Sequence, residues 1–375
     1  MKHAKKVLIA LLVITLISGC TSKKNKYTDK VESVFDVYDT PLQPLNTIIK
    51  ITLRNESKLK KIMPLVNERI KNIHELADGY HHFSGVNNIN TINQCTSEQF
   101  PLQIDPSLFK LIQHSIDITK LSKGYFNPTV EPLYRLWQDK FSPYPIENTE
   151  PSEQAIKEAL SCVVNYQEID DYIILDNNTI TIKPMENCTQ GIKLNLGAIS
   201  KGYAADVLLP IMEDDYLIDI GTSSIATQGQ WRVGFRSVYD PTKSLFTFNT
   251  KDKMILSNSG DNTQFFLLDD GTIRCHIMNP YTGKSENYYR NVSVLTNGPS
   301  WLADALTTTI FSIENIEEVN EMIKTLEKTY DCEIHYCLVK ETSKEDKTLT
   351  LITDKYFHSL LTDIDLHITN IEYGR

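Results

Sequence analysis

A change of hydrophobic period near the middle of the chain most constrains its fold. Over residues 192–196 apolar and polar side chains alternate, which predicts a strand with one buried face. The alternation stops at Gly197, and from Ser200 onward the apolar residues recur with helical spacing. The start of a helix presents unpaired backbone N–H groups and the positive end of its dipole. This stretch therefore predicts either an anion-binding turn, with Ser200 as N-cap and Lys201 beside it, or an ordinary glycine-bearing connection.

Length and composition are typical of a globular protein with a substantial core. The chain has 375 residues, of which 41% are hydrophobic and 23% are charged. The formal net charge of -10 opposes both a nucleic-acid groove as the main surface and a broad basic patch on a membrane. We therefore expect no nucleic-acid partner.

The N-terminal residues have the pattern of an export signal. Lysines near the start precede an apolar run over 7–17, which is too short to span a bilayer as a stable helix. The sequence ISGC that ends at Cys20 resembles the bacterial lipobox, in which the cysteine becomes the lipidated first residue. The alternative is an ordinary secretory signal followed by a coincidental cysteine.

This pattern divides the chain into three segments. We predict a lipoprotein signal peptide over 1–19, the lipidated Cys20 with a flexible tether over 20–33, and one folded domain over 34–365. The lipid would hold the chain at the cell membrane, facing the extracytoplasmic side. Because the body of the chain is acidic, attachment to an anionic membrane would depend on the lipid and not on charge.

The sequence leaves the pairing of the other cysteines open. They are Cys95, Cys162, Cys188, Cys275, Cys332 and Cys337. The sequence contains no CxxC pair and no His/Cys spacing that suits zinc. Cys332 and Cys337 lie in one predicted strand at odd separation and point to opposite faces, so we expect no bridge between them.

Helical and strand patterns interleave along the chain, and many connections are typical of hairpins. Helical periods occur over 57–77, 106–123, 300–311 and 316–329, and strand patterns over 47–53, 172–175, 179–182, 216–220 and 348–353. The turn sequence that ends at Gly271 is typical of a hairpin between two such strands. We therefore predict an α+β fold with largely antiparallel pairing, and not a doubly wound parallel sheet.

Two polar patterns indicate a binding site, each with a plain structural alternative. Asp304 and Thr308 stand one helical turn apart and offer two hard oxygen ligands that suit Mg²⁺. The alternative is that Asp304 stabilises the start of its helix and Thr308 is ordinary surface. His276 leaves a strand before an Asn-Pro turn, where it could contact a phosphate or a ring, or could be a satisfied structural histidine. Common nucleotide-binding, hydrolase and zinc-protease motifs are absent from the sequence.

Seven ordered motifs together resemble the ApbE family, the bacterial FAD:protein FMN transferases. They are YHHFS with a later Asn over 80–90, GYFNPTV with PL and LW over 124–137, LNLGAISKGYAAD over 194–206, a G…G…W segment over 221–231, SGD over 259–261, HIMNPYTG over 276–283 and ADALTT over 303–308. The resemblance runs from about residue 34 to residue 350. It implies an ApbE-like fold with a flavin cleft between two lobes.

The same resemblance implies a ligand set and a reaction. Mg²⁺ would be held by Asp304, Thr308 and the backbone carbonyl of Ala198, and Asp304, Lys201 and His276 would act in catalysis. FAD, the substrate, would be contacted by Leu45, Tyr80, Tyr125, Phe126, Asn127, Asn195, Lys201, His276 and Ile277. Members of the family move FMN from FAD to a Thr or Ser hydroxyl of an acceptor protein and release AMP. The metal would neutralise charge on the pyrophosphate.

The chain departs from the family pattern at several positions. Asn127, Asn195 and Asn279 stand where the family usually has Asp, and an Asn keeps the size but loses the charge. The segment 45–47 lacks the usual Met and Gly, and 221–223 lacks a second glycine. Three hypotheses therefore remain: an Mg²⁺-dependent FMN transferase, an FAD-binding lipoprotein without transfer, and an FAD pyrophosphatase that yields FMN and AMP.

Overall fold

The computed structural model describes residues 26–30, 34–35, 41–221, 223–240 and 242–375. The predicted signal peptide and the predicted lipidation site at Cys20 lie outside these residues and stay predictions. None of the helices within the described ranges is long and apolar enough to cross a membrane.

The described residues form ten α-helices and nineteen strands. The helices are α1 Glu56–Ala77, α2 Ile89–Gln94, α3 Pro106–Leu121, α4 Glu131–Gln138, α5 Glu153–Leu160, α6 Ile169–Tyr172, α7 Ser200–Leu208, α8 Ser300–Phe311, α9 Ile316–Tyr330 and α10 Lys355–Leu360. The strands of the first half are β1 Tyr27–Lys30, β2 Val34–Phe35, β3 Pro41–Leu42, β4 Ile49–Leu53, β5 Leu102–Gln103, β6 Ile173–Asp176 and β7 Thr179–Ile182. Those of the second half are β8 Tyr216–Ile220, β9 Ser224–Gln228, β10 Arg232–Arg236, β11 Ser244–Asn249, β12 Met254–Gly260, β13 Phe265–Leu267, β14 Ile273–Cys275, β15 Asn291–Thr296, β16 Ile334–Ser343, β17 Thr348–Thr353, β18 Leu361–Ile364 and β19 Ile368–Tyr373.

A nine-stranded sheet forms the centre of this fold, in the order β1-β4-β8-β9-β12-β15-β16-β17-β19. Its neighbouring strands pair antiparallel, except that β17 and β19 run parallel. Smaller sheets are formed by β10-β11-β18, β5-β7-β6, β13-β14 and β2-β3. The predicted α+β fold with largely antiparallel pairing is confirmed.

Different layers cover the two faces of the central sheet. Helices α1, α7, α8 and α9 pack on one face through buried side chains such as Val66, Ala204, Leu302 and Ile323. The β10-β11-β18 sheet and α10 cover part of the other face with a cluster of phenylalanines. Every residue of β15 is buried, as a central strand between two layers requires.

Both ends of the folded domain differ from the prediction. Residues 27–30 were expected within a flexible tether, yet they form β1, which pairs with β4 at one edge of the central sheet. At the other end β19 pairs with β17, so the fold continues beyond residue 365. Edge pairing uses backbone groups only, so a polar sequence without hydrophobic alternation can still join a sheet.

Two short helices, α2 and α4, lie outside the helical periods found in the sequence. Helix α2 begins after Asn88, whose side chain accepts a hydrogen bond from the Thr91 N–H. Helix α4 follows the GYFNPTV motif and buries Leu133 and Trp137, one turn apart. Each helix spans too few residues for a helical period to be recognised in the sequence. Helices this short depend on tertiary packing and capping for their stability.

One disulfide joins two of the cysteines whose pairing the sequence left open. Cys162 and Cys188 are bonded, with Cα atoms 4.6 Å apart. Cys95, Cys275, Cys332 and Cys337 are free thiols, which confirms the expectation that Cys332 and Cys337 do not pair.

The ring of His114 provides a pH test of the packing between α3 and α8. It stacks on Trp301 with ring centroids 4.2 Å apart, and burial, with a smaller contribution from Lys110, lowers its pKa to about 4. Because the unfolded chain takes up this proton near pH 6.5, acidification from there to pH 4 favours unfolding. We expect His114→Phe, which keeps a stacking ring, to gain stability relative to wild type as the pH falls through that window. Urea denaturation at pH 7.5, 5.5 and 4.5 measures the difference, and a constant difference across the three values would contradict the assignment.

Candidate functional site

A cavity of about 440 Å³ contains all the candidate residues of the predicted site. Lining it are Leu45, Tyr80, Tyr125, Phe126, Asn127, Asn195, Ala198, Lys201, His276, Ile277, Asp304 and Thr308. Its volume lies within the range of small-molecule sites, and its lining combines aromatic rings with many polar side chains. The structure brings these residues together, while their individual roles stay predictions.

The segment before the turn is not the strand that its alternating pattern predicted. Residues 192–196 belong to no sheet. Instead, Leu194 exchanges two hydrogen bonds with the Asn93 side chain, at 2.7 and 2.9 Å, and the Asn195 N–H donates to the Pro128 carbonyl at 2.7 Å. A side-chain amide and a loop carbonyl thus satisfy backbone groups that a neighbouring strand would otherwise pair.

The turn itself is held by its own side chains. The Asn195 carbonyl oxygen accepts from the Gly197 N–H at 2.8 Å, and the Lys201 ammonium donates to the Gly197 carbonyl at 3.2 Å. Helix α7 starts at Ser200 with Ile199 as its N-cap, without a side-chain cap, so the prediction that Ser200 is the N-cap is wrong by one residue.

Asp304 is the buried acid of the cavity. Its side chain is 3% exposed, and its carboxylate accepts a hydrogen bond from the Gly202 N–H at 2.9 Å. Burial raises the pKa of this carboxyl, while Lys201 and the Gly202 N–H act in the opposite direction. A buried carboxylate that faces a cavity is a good ligand for a cation.

Thr308 differs from the threonines on either side of it. The Thr307 and Thr309 hydroxyls donate to carbonyls of their own helix, both at 2.8 Å. Thr308 is the one residue of α8 that is not buried, and its side chain faces the cavity. Its hydroxyl has no hydrogen-bond partner among the described residues, so it is available to a ligand.

These oxygens fit the donor set that Mg²⁺ prefers. The Asp304 carboxylate, the Thr308 hydroxyl and the Ala198 carbonyl are hard ligands in one cavity, and Mg²⁺ often uses few carboxylates together with waters and substrate phosphates. Within the described parts of the chain, no group of three or more His, Cys, Asp or Glu residues could hold a metal ion. A cation in this cavity would therefore depend on the mixed set.

His276 has an unsatisfied nitrogen. Its Nδ1 atom is buried and has no hydrogen-bond partner among the described residues, although a structural histidine would normally be satisfied. Burial and the nearby Lys201 lower its pKa to about 4, so the ring is neutral near pH 7. A neutral imidazole beside Lys201 can exchange hydrogen bonds with a ligand without adding charge.

The sequence reasoning missed several residues of the cavity wall. His74 lies on the buried face of α1 and accepts a hydrogen bond from the Leu45 N–H at 3.3 Å. Its Nε2 atom has no hydrogen-bond partner among the described residues and lies 4.0 Å from the Asp78 carboxylate. Glu131 lies directly after the GYFNPTV motif, and Tyr134 follows one turn later. For Glu131, the sequence signal that could have identified it is an acidic residue next to an otherwise apolar run.

The three Asn residues that depart from the family pattern share one hydrogen-bonding arrangement. Each side-chain carbonyl accepts from the backbone N–H two residues later, at 3.0 Å for Asn127, 2.8 Å for Asn195 and 2.9 Å for Asn279. Each amide nitrogen donates to an oxygen, on Val164, Glu131 and Glu286 respectively, at 2.8, 2.6 and 2.9 Å. An Asp could make the first bond but not the second, because an ionised carboxylate has no donor.

Helices α7 and α8 approach so closely at Gly202 that no side chain fits there. A Cβ atom on Gly202 would overlap the Ser300 carbonyl and lie 2.7 Å from the Asp304 Cβ. The Asp206 carboxylate, one turn along α7, accepts from the Ser300 and Trp301 N–H groups at 2.8 and 2.9 Å. This carboxylate satisfies the start of α8 and sets its position against α7.

We expect Gly202→Ala to destabilise the protein by about 1–3 kcal/mol, because overpacking outweighs the helical preference of alanine. It should also weaken Mg²⁺ binding by displacing Asp304. Gly79→Ala is the control, since its Cβ would meet only the Ile89 Cγ2 at 3.5 Å, an ordinary contact. Chemical denaturation measures the stability of both variants. Equal stability of Gly202→Ala and Gly79→Ala would refute the close approach of α7 and α8.

Comparisons with known proteins point to one family. A family model described as the ApbE family matches residues 45–334. Over 218 residues the chain is 27% identical to an FAD:protein FMN transferase of Klebsiella pneumoniae, a match that covers 57% of this chain and 64% of the relative. The chain is 26% identical over 230 residues to the FAD:protein FMN transferase of Treponema pallidum, a match that covers 56% of this chain and 61% of the relative. The chain thus spans less than two thirds of the length of these two relatives.

Solved structures show the same fold. An ApbE protein from Thermotoga maritima superposes with a TM-score of 0.68 at 19% identity, covering 90% of this chain and 100% of that one. The flavin transferase ApbE from Vibrio cholerae gives a TM-score of 0.67 at 18% identity, with the same coverage. Because the family model spans well over half of the sequence, the chain belongs to the ApbE family.

Proposed function

We propose that this protein is an Mg²⁺-dependent FAD:protein FMN transferase, which moves FMN from FAD to a Thr or Ser hydroxyl of an acceptor protein and releases AMP. The observation that carries the proposal is the pairing of the buried Asp304 carboxylate with the free Thr308 hydroxyl in one cavity. That the relatives bear this name supports the reaction.

The residues of the cavity suit a transfer at a pyrophosphate. Lys201 provides a positive charge beside Ala198, where a phosphate could lie. The neutral His276 ring could donate to or accept from the reacting groups. Mg²⁺, when bound, would neutralise charge that develops on the leaving AMP. The protein's own part is to bind and orient FAD and the acceptor hydroxyl.

One assay separates the three hypotheses. The described domain is incubated with FAD, Mg²⁺ and an acceptor peptide that carries a Thr flavinylation motif, and acceptor mass, free FMN and AMP are followed. An acceptor that gains FMN supports the transferase. FMN and AMP without a modified acceptor would instead identify a pyrophosphatase, and bound FAD without either product would identify a binding protein.

Asp304→Asn tests the metal site with little change in shape, since an amide carbonyl can still accept from the Gly202 N–H. We expect a loss of about 100-fold or more in Mg²⁺-dependent transfer, because the metal contributes several kcal/mol of charge stabilisation. Thr308→Val should raise the Mg²⁺ concentration needed for half-maximal activity. Thr309→Val is its matched control, because the Thr309 hydroxyl bonds only to the Ala305 carbonyl in the described chain. Activity that survives Asp304→Asn unchanged would disprove the metal assignment.

We also propose that the protein is anchored to the outer side of the cell membrane by a lipid on Cys20. The lipobox-like sequence supports this, and the disulfide between Cys162 and Cys188 is compatible with export to an oxidising compartment. Cys20→Ala should move the protein from the membrane fraction to the soluble extracytoplasmic fraction. An unchanged membrane fraction in this variant would refute the lipid anchor.

A further inference from the structure

A single buried carboxylate joins two segments of the cavity wall. Glu131 is 3% exposed, lies at the start of α4 and lines the cavity. One of its oxygens accepts from the Asn195 amide at 2.6 Å, and the other accepts from the Arg135 Nε at 2.5 Å. Both oxygens are therefore engaged, each with a donor from a different part of the chain.

The first of these contacts reaches the turn that carries Ala198. The Asn195 side-chain oxygen accepts from the Gly197 N–H, and its amide nitrogen donates to Glu131. These two hydrogen bonds together fix the orientation of the Asn195 side chain. Any movement of the Glu131 carboxylate would therefore be transmitted to the turn at the metal site.

The second contact reaches the loop that carries Tyr80. Arg135 donates to the Gly79 carbonyl at 3.1 Å, and its guanidinium carbon lies 3.8 Å from the centre of the Tyr80 ring. Tyr80 and Gly79 both line the cavity. Arg135 thus links the acid on α4 to an aromatic face of the cavity.

The chemistry of this pair explains why position 195 is not an acid here. Two ionised carboxylates at 2.6 Å would repel each other in a buried setting, whereas an amide facing a carboxylate forms a charge-assisted hydrogen bond. At this contact the cavity wall therefore has one carboxylate, which lies on Glu131 and not on residue 195. Burial raises the pKa of the Glu131 carboxyl, and Arg135 and Asn195 oppose that shift.

We propose that Glu131 is a positioning residue for FAD: its carboxylate orients the 195–198 turn through Asn195 and the 79–80 loop through Arg135, and it replaces the charge that the family usually carries at position 195. The inference rests on the proposed function, because it concerns the binding of FAD in this cavity.

Swapping the acid and the amide between positions 131 and 195 tests this proposal. Asn195→Asp alone places two carboxylates face to face, and Glu131→Gln alone leaves a donor facing either Asn195 or Arg135. In the double variant E131Q/N195D, the Gln amide donates to the Asp while its carbonyl accepts from Arg135, so the hydrogen bonds and the single charge are both restored. We expect each single variant to weaken FAD binding by about 10-fold or more, and the double variant to return to within about 3-fold of wild type.

The readout is the FAD dissociation constant, measured from the quenching of flavin fluorescence without acceptor and well below the melting temperature of every variant. Asn279→Asp is the matched control, because Asn279 faces Glu286 in the same arrangement but neither residue lines the cavity. It should lower the melting temperature while leaving the FAD dissociation constant within about 2-fold of wild type.

The outcomes are distinct. Additive losses in the double variant, or tighter FAD binding by Asn195→Asp, would overturn the role of Glu131 while leaving the proposed function intact. Variants that lose only thermal stability would show that the pair is purely structural. A wild-type protein that binds no FAD would overturn the proposed function and this inference together.

Discussion

The site depends on the close contact between helices α7 and α8. Gly202 allows the two backbones to approach, its N–H donates to Asp304, and Asp206 satisfies the first N–H groups of α8. The acid on α8 and the turn that precedes α7 are consequently held in one rigid unit. Neither helix is amphipathic in the ordinary sense, because both are buried beneath the central sheet and their neighbouring helices.

Burial gives this unit its chemical properties. Asp304 has lost most of its water, which raises its pKa, and the same burial together with Lys201 keeps His276 neutral near pH 7. The cavity thus combines a desolvated acid, a cation and a neutral ring, and each of them interacts more strongly with a ligand there than in water. Thr308 completes the set because the adjacent threonines use their hydroxyls within the helix and Thr308 does not.

The substituted positions of the family motifs are consistent with this architecture. Asn127, Asn195 and Asn279 each close a turn with one side-chain atom and bond an oxygen with the other, so an amide is the side chain that satisfies both partners. An Asn in place of the usual Asp at one of these positions therefore does not by itself disrupt the cavity. At Asn195 the neighbouring Glu131 provides an acid in the same wall of the cavity.

The sequence by itself determined the fold class and the long helices and central strands, since hydrophobic period is a local property of the chain. Its ordered motifs, through their resemblance to the ApbE family, also indicated many of the residues that share the cavity. It did not reveal that 192–196 would lack a sheet partner, that 27–30 would become an edge strand, or that Glu131 would face Asn195. Those outcomes depend on partners far away in the chain: Asn93 replaces a neighbouring strand, β4 offers a free edge, and Glu131 lies 64 residues before Asn195. Only the tertiary structure decides which distant donor meets which acceptor, because hydrogen bonds and burial act over a few ångströms of space and not along the sequence.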